Sequence, residues 1–218
     1  MEERSMDHKK IPIKRVFPGF HELASLIRFR KLVLSPKRRR LSRALTIQDL
    51  RKIAKRLTPQ GPFDYTDGAA DSESSLTRAR VAFEQIEFQP RVLRDVSKVD
   101  LSVEMFGKRV SMPMGIAPTG FSRMMQTEGE IAGCTAAAAA GIPFCLSTMG
   151  TRSIEDVVTA APNGRNFFQL YMWKDRDRSM ELVRRAQVAG VDTLVLTVDV
   201  PVAGARLRDV RNGMTLPP

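Results

Sequence analysis

From Met112 onward, short apolar runs alternate with stretches of helical periodicity. MPMGIAP (112–118), IPFCLST (142–148), NFFQLYM (166–172) and DTLVLTVD (192–199) have the length and composition of buried strands. Between them, EGEIAGCTAAAAAG (128–141), SIEDVVTAA (153–161) and RSMELVRRAQVAG (178–190) carry apolar residues at helical spacing. In the last of these, Met180, Leu182, Val183, Ala186 and Val188 supply the apolar face. The fourth strand is continuous and β-branched, as expected of an interior parallel strand. A series of β-then-α units predicts a parallel α/β fold.

The stretch before Met112 has a different rhythm. Thr46 is an N-cap candidate for a helix, TIQDLRKIAKRL, with Ile47, Leu50, Ile53, Ala54 and Leu57 on one side and an end before Pro59. GPFDYTDGAADSESS (61–75) is turn-rich, LTRARVAFEQI (76–86) is helical, and EFQPRVL (87–93) is extended. DLSVEMFGKRVSMP (100–113) alternates around Phe106-Gly107-Lys108 as a small β-hairpin does. Three segments result: a basic arm over 1–45, a helical and hairpin preface over 46–111, and the α/β body over 112–218.

Charge sharpens this division. The net charge of +11 would suggest a nucleic-acid binder if it were spread over the chain, but residues 1–45 hold 13 Lys+Arg against 4 Asp+Glu, and the remainder is nearly balanced. Within the arm, HELASLIRFRKLVL (21–34) places Leu23, Leu26, Ile27, Val33 and Leu34 near one helical stripe, with Arg28 and Lys31 off it. Such a basic amphipathic helix docks on the body, with SPKRRR (35–40) solvated behind it, or lies on an anionic membrane surface. Nucleic acid is disfavoured, because few aromatic residues interleave with the cations and no nucleic-acid module follows. No apolar run reaches the roughly 18 residues of a membrane span, and the start lacks the apolar core of a secretory signal. A cytoplasmic location follows as the expectation, with the arm resting on the cytoplasmic face of the inner membrane in the surface-bound alternative. Two cysteines, Cys134 and Cys145, cannot build a disulfide framework or a four-ligand zinc site, so no metal is expected.

Candidate chemistry sits at the strand ends. Two architectures fit the alternation, an open doubly wound sheet and a closed barrel. No G-x-G-x-x-G follows the first strand, which ends Ala117-Pro118-Thr119-Gly120, and there is no Walker sequence. The strand ends are polar: Thr119, then Ser147 and Thr148, then Gln169 and Tyr171, then Thr197 and Asp199. Aligned polar residues at carboxyl ends of strands are loop-facing caps or a shared ring of ligand contacts, and the second use is that of barrels.

FDYTDGAADSE, SMPMGIAPTGFSRM, TEGEIAGCTAAAAAGIPFCLST, FFQLYMWKDR and TLVLTVDVPVAGARLRDVRNGMTLPP, in this order, resemble the FMN-dependent 2-hydroxy-acid dehydrogenases and oxidases. DYTDGAA, PVAGARLRD and the basic preface resemble the L-lactate dehydrogenase branch most. The resemblance, from about Leu45 to Pro218, implies a (β/α)8 TIM barrel with FMN across its carboxyl-end mouth, here about four β/α units behind the helical preface. It implies that Ala117, Pro118, Thr119 and Gly120 back the flavin ring, and that Ser147, Gln169 and Thr197 bond its polar edge. Tyr65 and Tyr171 would contact substrate, and Arg206 would help hold its carboxylate. Each has a structural use as well: Tyr65 as a turn cap, Tyr171 as a core residue with a satisfied hydroxyl, Arg206 as one of a solvated set with Arg208 and Arg211.

The chemistry implied is oxidation of an L-2-hydroxy acid, with L-lactate to pyruvate foremost. A base removes the hydroxyl proton, hydride passes to flavin N5, and Tyr171 acts catalytically as a donor to the charged oxygen. Electrons would go to a quinone or cytochrome, or to oxygen if the protein is an oxidase of the glycolate or lactate type. The family commonly forms homo-oligomers. It also uses a late histidine base, a second substrate arginine, a lysine on the flavin and a phosphate-binding segment. The only histidines here, His8 and His21, lie in the arm. A whole barrel takes roughly 250 residues, against 107 from Met112 to Pro218. The chain is therefore expected to be a front half, inactive by itself, or else a non-catalytic truncated product that binds a partner.

Overall fold

The parallel sheet is organised around one strand. In the computed structural model, residues 33–199 and 202–214 are described. Strand β4 (Asn166–Tyr171) lies between β3 (Phe144–Leu146) and β5 (Thr193–Thr197), all parallel. Alternate side chains of a strand face opposite sides. Phe144 and Leu146 of β3 and Phe168 and Leu170 of β4 point into one buried cluster with the helices. That cluster takes Cys134 and Ala137 from α5 (Glu130–Ala140), Ile154 and Val157 from α6 (Ile154–Ala160), and Ala186 from α7 (Arg176–Ala189). Gly133 lets α5 come this close: a Cβ there would lie 2.7 Å from the Phe144 ring.

The amino ends of the strands are closed by the hairpin of β1 (Val103–Met105) and β2 (Lys108–Val110). Its two-residue turn, Phe106-Gly107, has positive φ at both positions (47° and 72°), the twist that antiparallel hairpins prefer. Phe106 meets Phe167 edge to face at 5.7 Å, and the Arg165 guanidinium lies 5.0 Å from the same ring. Arg165 also donates to the Met105 carbonyl and pairs with Asp192 (3.0 Å), which Lys108 reaches as well (3.1 Å). This end is shut, so the opposite, carboxyl end is the open one.

Before the sheet come α1 (Pro36–Leu41), α2 (Ile47–Leu57), α3 (Gln60–Asp67) and α4 (Ser74–Glu84). The expected start of α2 is a reciprocal cap: Thr46 Oγ1 accepts from the Asp49 N–H (3.1 Å) and Asp49 Oδ2 accepts from the Thr46 N–H (3.2 Å). The chain divides into two units, 1–50 and 51–218.

Several expectations need correction. Residues 60–67, expected as part of a turn-rich stretch, form helix α3; Pro62 falls in its first turn, where a missing N–H costs nothing. Residues 87–93, expected as extended, form no regular element, and Leu93 departs from an extended conformation with φ 59°. MPMGIAP is not a buried strand: only Ile116 bridges to Phe144, and Ala117, Pro118 and Thr119 are exposed, because Pro113 and Pro118 lack donors and the segment is paired on one side alone. DTLVLTVD is not interior; β5 pairs with β4 on one side, and Leu194 and Leu196 are about half exposed (47% and 51%). In α7, Met180 and Val188 are exposed, leaving Leu182, Val183 and Ala186 to face the core. The arm helix proposed over 21–34 lies outside the described residues except for Val33 and Leu34, which are not helical. The parallel α/β arrangement is present, while a closed barrel is not formed among the described residues.

The packing predicts a contrast within the sheet. Leu170→Ala, in the helix-facing cluster, is expected to cost about 2–5 kcal/mol, whereas Leu194→Ala on the exposed edge strand should cost under about 1 kcal/mol. Urea unfolding of the two variants measures the difference, and equal losses would contradict the packing described.

Candidate functional site

At the open end, three strands deliver one polar row. Gln169 of β4 is 2% exposed, and a buried amide must find partners for both ends. Its Oε1 accepts from Ser147 Oγ (3.2 Å) and from the Thr148 N–H (3.2 Å), while Nε2 donates to Thr197 Oγ1 (2.7 Å). Thr148 ties the same ends through the backbone: its hydroxyl donates to the Gln169 carbonyl (2.6 Å) and accepts from the Tyr171 N–H (3.0 Å). Tyr171 is the last residue of β4, in register with Thr197 and 39% exposed. It is therefore not the buried core tyrosine of the alternative reading.

The Ala117–Gly120 turn stands beside this row. Thr119 Oγ1 donates to the Ala117 carbonyl (3.4 Å), and Ser122 Oγ donates to the Thr119 carbonyl (3.2 Å). Gly120 permits the turn to lie against the loop after β3, because a Cβ there would meet Met149 Cβ at 2.9 Å. Phe121 holds that contact, its N–H donating to the Met149 carbonyl (2.9 Å). A cleft of about 220 Å³ runs behind the turn toward the first turn of α5, lined by Ala117, Thr119, Gly120, Glu130 and Phe144. Ser147, Gln169 and Thr197 do not line it.

Tyr65 and Arg206 form a second group. The Arg206 guanidinium lies 4.7 Å from the Tyr65 ring centroid, and its Nη2 donates to the Tyr65 carbonyl. Arg206 Nε donates to Asp209 Oδ2 (2.7 Å), which fixes the plane of the fork. Phe121 meets Tyr65 edge to face at 6.3 Å. Arg206 makes no hydrogen bond through Nη1 among the described residues, so that edge keeps two donors. The solvated-set alternative does not describe Arg206 or Arg208: Arg206 is two-thirds covered, and Arg208 is bound to Asp64, Asp67 and Glu73, whereas Arg211 is exposed.

That second arginine ties α3 to α8 (Leu207–Arg211) behind Arg206. Asp67 is held below the usual carboxylate range, chiefly by the hydrogen bond from Arg51, with burial opposing and Arg208 adding. Glu73 is lowered by Arg208 first and then by the Ala69 N–H. On the sheet, burial pushes the Cys145 thiol up to about 11, which makes it inert beside the row.

Sequence reasoning placed Ser147, Gln169 and Thr197 together, and the structure bonds them. It paired Tyr65 and Arg206 only by their expected roles, and the structure stacks them. Among the described residues no hydrogen bond or ring contact joins the two groups. Asp209, Phe121 and the full part of Thr148 were missed. For Asp209 a signal existed, since a carboxylate in the first turn of a helix, three residues after an arginine at the N-cap, is in reach of it.

A family model described as FMN-dependent dehydrogenase matches residues 54–218. The chain belongs to this family. It is 60% identical over 206 residues to a putative L-lactate dehydrogenase of Mycobacterium tuberculosis, covering 94% of this chain and 50% of that one. It is 42% identical to a 4-hydroxymandelate oxidase of Amycolatopsis orientalis, over 79% of this chain and 48% of that protein. Among solved structures, a mandelate oxidase superposes with a TM-score of 0.75 at 41% identity, over 80% of this chain and 52% of the other. The chain thus spans about half the length of the relatives it matches.

FMN is the cofactor of the family, and the residues here suit it. An isoalloxazine edge carries both acceptors and a donor; Gln169 Nε2 keeps one N–H, and the Thr197 hydroxyl, which accepts from Gln169, keeps its own proton and a lone pair, so this row has both kinds left. The exposed Ala117-Pro118-Thr119 turn leaves backbone beside that row where a flat ring needs a wall.

The acid cluster makes stability pH-dependent in a defined sense. Asp67 and Glu73 have folded values below their unfolded ones, so their contribution is complete above the unfolded range of about 4–4.5 and is lost as pH falls through the folded values. The urea midpoint should stay level from about pH 7 to 5 and drop below about pH 4. Asp67→Asn should lower the midpoint at neutral pH and flatten the acid drop.

Proposed function

We propose that this chain carries the flavin-facing half of an FMN-dependent L-2-hydroxy-acid dehydrogenase whose foremost substrate is L-lactate. The observation that carries the reading is the Ser147–Gln169–Thr197 row at the carboxyl ends of three parallel strands, next to the exposed Tyr171. In that reading the sheet is half of a (β/α)8 barrel, and FMN, when bound, supplies the hydride acceptor. The 60% identity to a protein named as an L-lactate dehydrogenase favours lactate.

The chain's own residues have distinct tasks. Ser147, Thr148 and Thr197 hold the Gln169 amide in one orientation, so that its remaining Nε2 hydrogen and the Thr197 hydroxyl are preset toward the ring edge. Tyr171 offers its hydroxyl to the substrate oxygen, where negative charge builds as the hydroxyl proton leaves, before loss of the C2 hydrogen as hydride completes the carbonyl. Arg206 presents Nη1 to the substrate carboxylate, held in plane by Asp209 and by the Tyr65 ring. The proton-accepting base, a second arginine and the phosphate contacts are assigned to the portion of the relatives that this chain does not span. The acceptor in this reading is a quinone or cytochrome reached from the cytoplasmic side, and the intact protein is a homo-oligomer.

An oxygen-using oxidase is the second reading, favoured by the 42–43% identity to proteins named as hydroxymandelate and glycolate oxidases. The two differ in how the reduced protein is reoxidised.

The test begins with protein from its natural source. Bound FMN that loses its absorbance with L-lactate under nitrogen, and regains it faster with a quinone than with oxygen, is the expected result. A flavin-free product with the mass of these 218 residues would sink the reading. The 218-residue chain mixed with FMN should show no reduction by L-lactate in stopped flow. In the apoprotein, Gln169→Leu is expected to weaken FMN binding by about 10- to 100-fold, the loss of one or two hydrogen bonds in a buried site. Flavin fluorescence titration reads that change.

A further inference from the structure

A second surface lies in the unit that ends at Leu50. Lys37, Arg38, Arg39, Arg40 and Arg43 are all exposed, and none takes part in an ion pair among the described residues. The one carboxylate of the stretch, Asp49, caps α2 by accepting from Leu45, Thr46 and the Thr46 hydroxyl. Aliphatic side chains sit among these cations: Leu34 is 84% exposed, Leu41 47%, Leu45 79% and Ile47 78%. Water-exposed aliphatics beside unpaired cations are unfavourable for a surface with no partner.

The segment is locally ordered by its own bonds. Ser35 Oγ accepts from the Arg38 N–H (3.5 Å), and the Ser42 hydroxyl donates to the Arg39 carbonyl (3.0 Å). Cations occupy the last turn of α1, where they complement the helix dipole. No helix among the described residues is long and apolar enough to cross a membrane.

We propose that residues 34–47 form an interfacial anchor on an anionic lipid surface. Lys37, Arg38, Arg39, Arg40 and Arg43 meet the headgroups, and Leu34, Leu41, Leu45 and Ile47 enter the acyl boundary. Charge decides the partner: five cations against one capped carboxylate repel a second copy and attract an anionic layer. Aliphatic content decides between anionic layers. A nucleic acid would reward aromatic side chains for stacking, and residues 33–50 contain none, whereas a bilayer takes up leucine and isoleucine. The anchor goes beyond the flavin chemistry and stands without it.

The 218-residue chain is tested by flotation with vesicles of phosphatidylcholine alone and with a quarter phosphatidylglycerol. Binding is expected with the anionic vesicles only, and is expected to weaken as salt rises from about 0.1 to 0.5 M, where screening shortens the reach of the charges. Each cation contributes roughly fivefold to partition, so Lys37→Gln/Arg38→Gln/Arg39→Gln should lower it by on the order of 100-fold. Leu41→Ser/Leu45→Ser should lower it by at least ~10-fold, since burying apolar surface adds to the charge. Arg91→Gln/Arg94→Gln/Lys98→Gln removes equal charge from exposed positions outside the anchor and should leave binding unchanged. Equal binding to neutral vesicles, an equal loss in the control, or less than about threefold loss in both anchor variants overturns the proposal. So does tighter binding to a labelled oligouridine than to the anionic vesicles at the same salt.

Discussion

The burial of one amide sets the geometry of the open end. Gln169 sits in the central strand with almost no exposure, and an unpaired amide there would cost about 1–3 kcal/mol. Three neighbours prevent this: Ser147 and Thr148 after β3, and Thr197 at the end of β5. Each bond holds only if the strands keep their register, so satisfying the amide also locks the carboxyl ends into one line. The same strand's other face, Phe168 and Leu170, is locked by the helices. β4 is thus positioned twice, by apolar packing on one side and by hydrogen bonding on the other. A site built there inherits both constraints, which is what a ligand needing fixed donors and acceptors requires.

The flanks of the sheet are under no such constraint. On one side Ile116 makes a single bridge; on the other, β5 presents Leu194, Val195 and Leu196 partly to solvent. Apolar residues on an unpaired edge invite further pairing. Relatives twice as long have the chain to supply it, and the mandelate oxidase superposes on this sheet over half its own length. The exposed edge of β5 and the coverage of about half of each relative are consistent with the proposed half-barrel reading.

This explains which parts of the fold were legible in the sequence. Helices α5, α6 and α7 and strands β3 and β4 were readable because their periodicity and caps are local, and their partners lie within the chain. β5 looked interior because its residues are those of an interior strand; periodicity records the environment a residue is suited to, not whether that neighbour is present. The segment 112–118 misled for the opposite reason, since its apolar content hid two prolines that limit pairing. At 60–67, glycine and proline suggested a turn, but position within the helix matters more than composition, and Phe63 anchors the turn of helix that results.

At the site, the row was legible and the clamp was not. Ser147, Gln169 and Thr197 each end a strand, so topology alone brings them together once the sheet is parallel. Tyr65 and Arg206 are 141 positions apart, and nothing local announces that a guanidinium will cover that ring. The stacking changes what Arg206 can do. A solvated arginine samples many rotamers and loses that freedom on binding a carboxylate. Here Asp209 takes Nε, the Tyr65 carbonyl takes Nη2, and the ring covers one face, so the remaining edge is already aimed. Arg208 extends the logic one layer further, because its bonds to Asp64, Asp67 and Glu73 fix α8 against α3 and so fix the backbone from which Arg206 projects. The acidic cluster that looks like surface decoration is therefore the support of Arg206, whose Nη1 makes no hydrogen bond among the described residues.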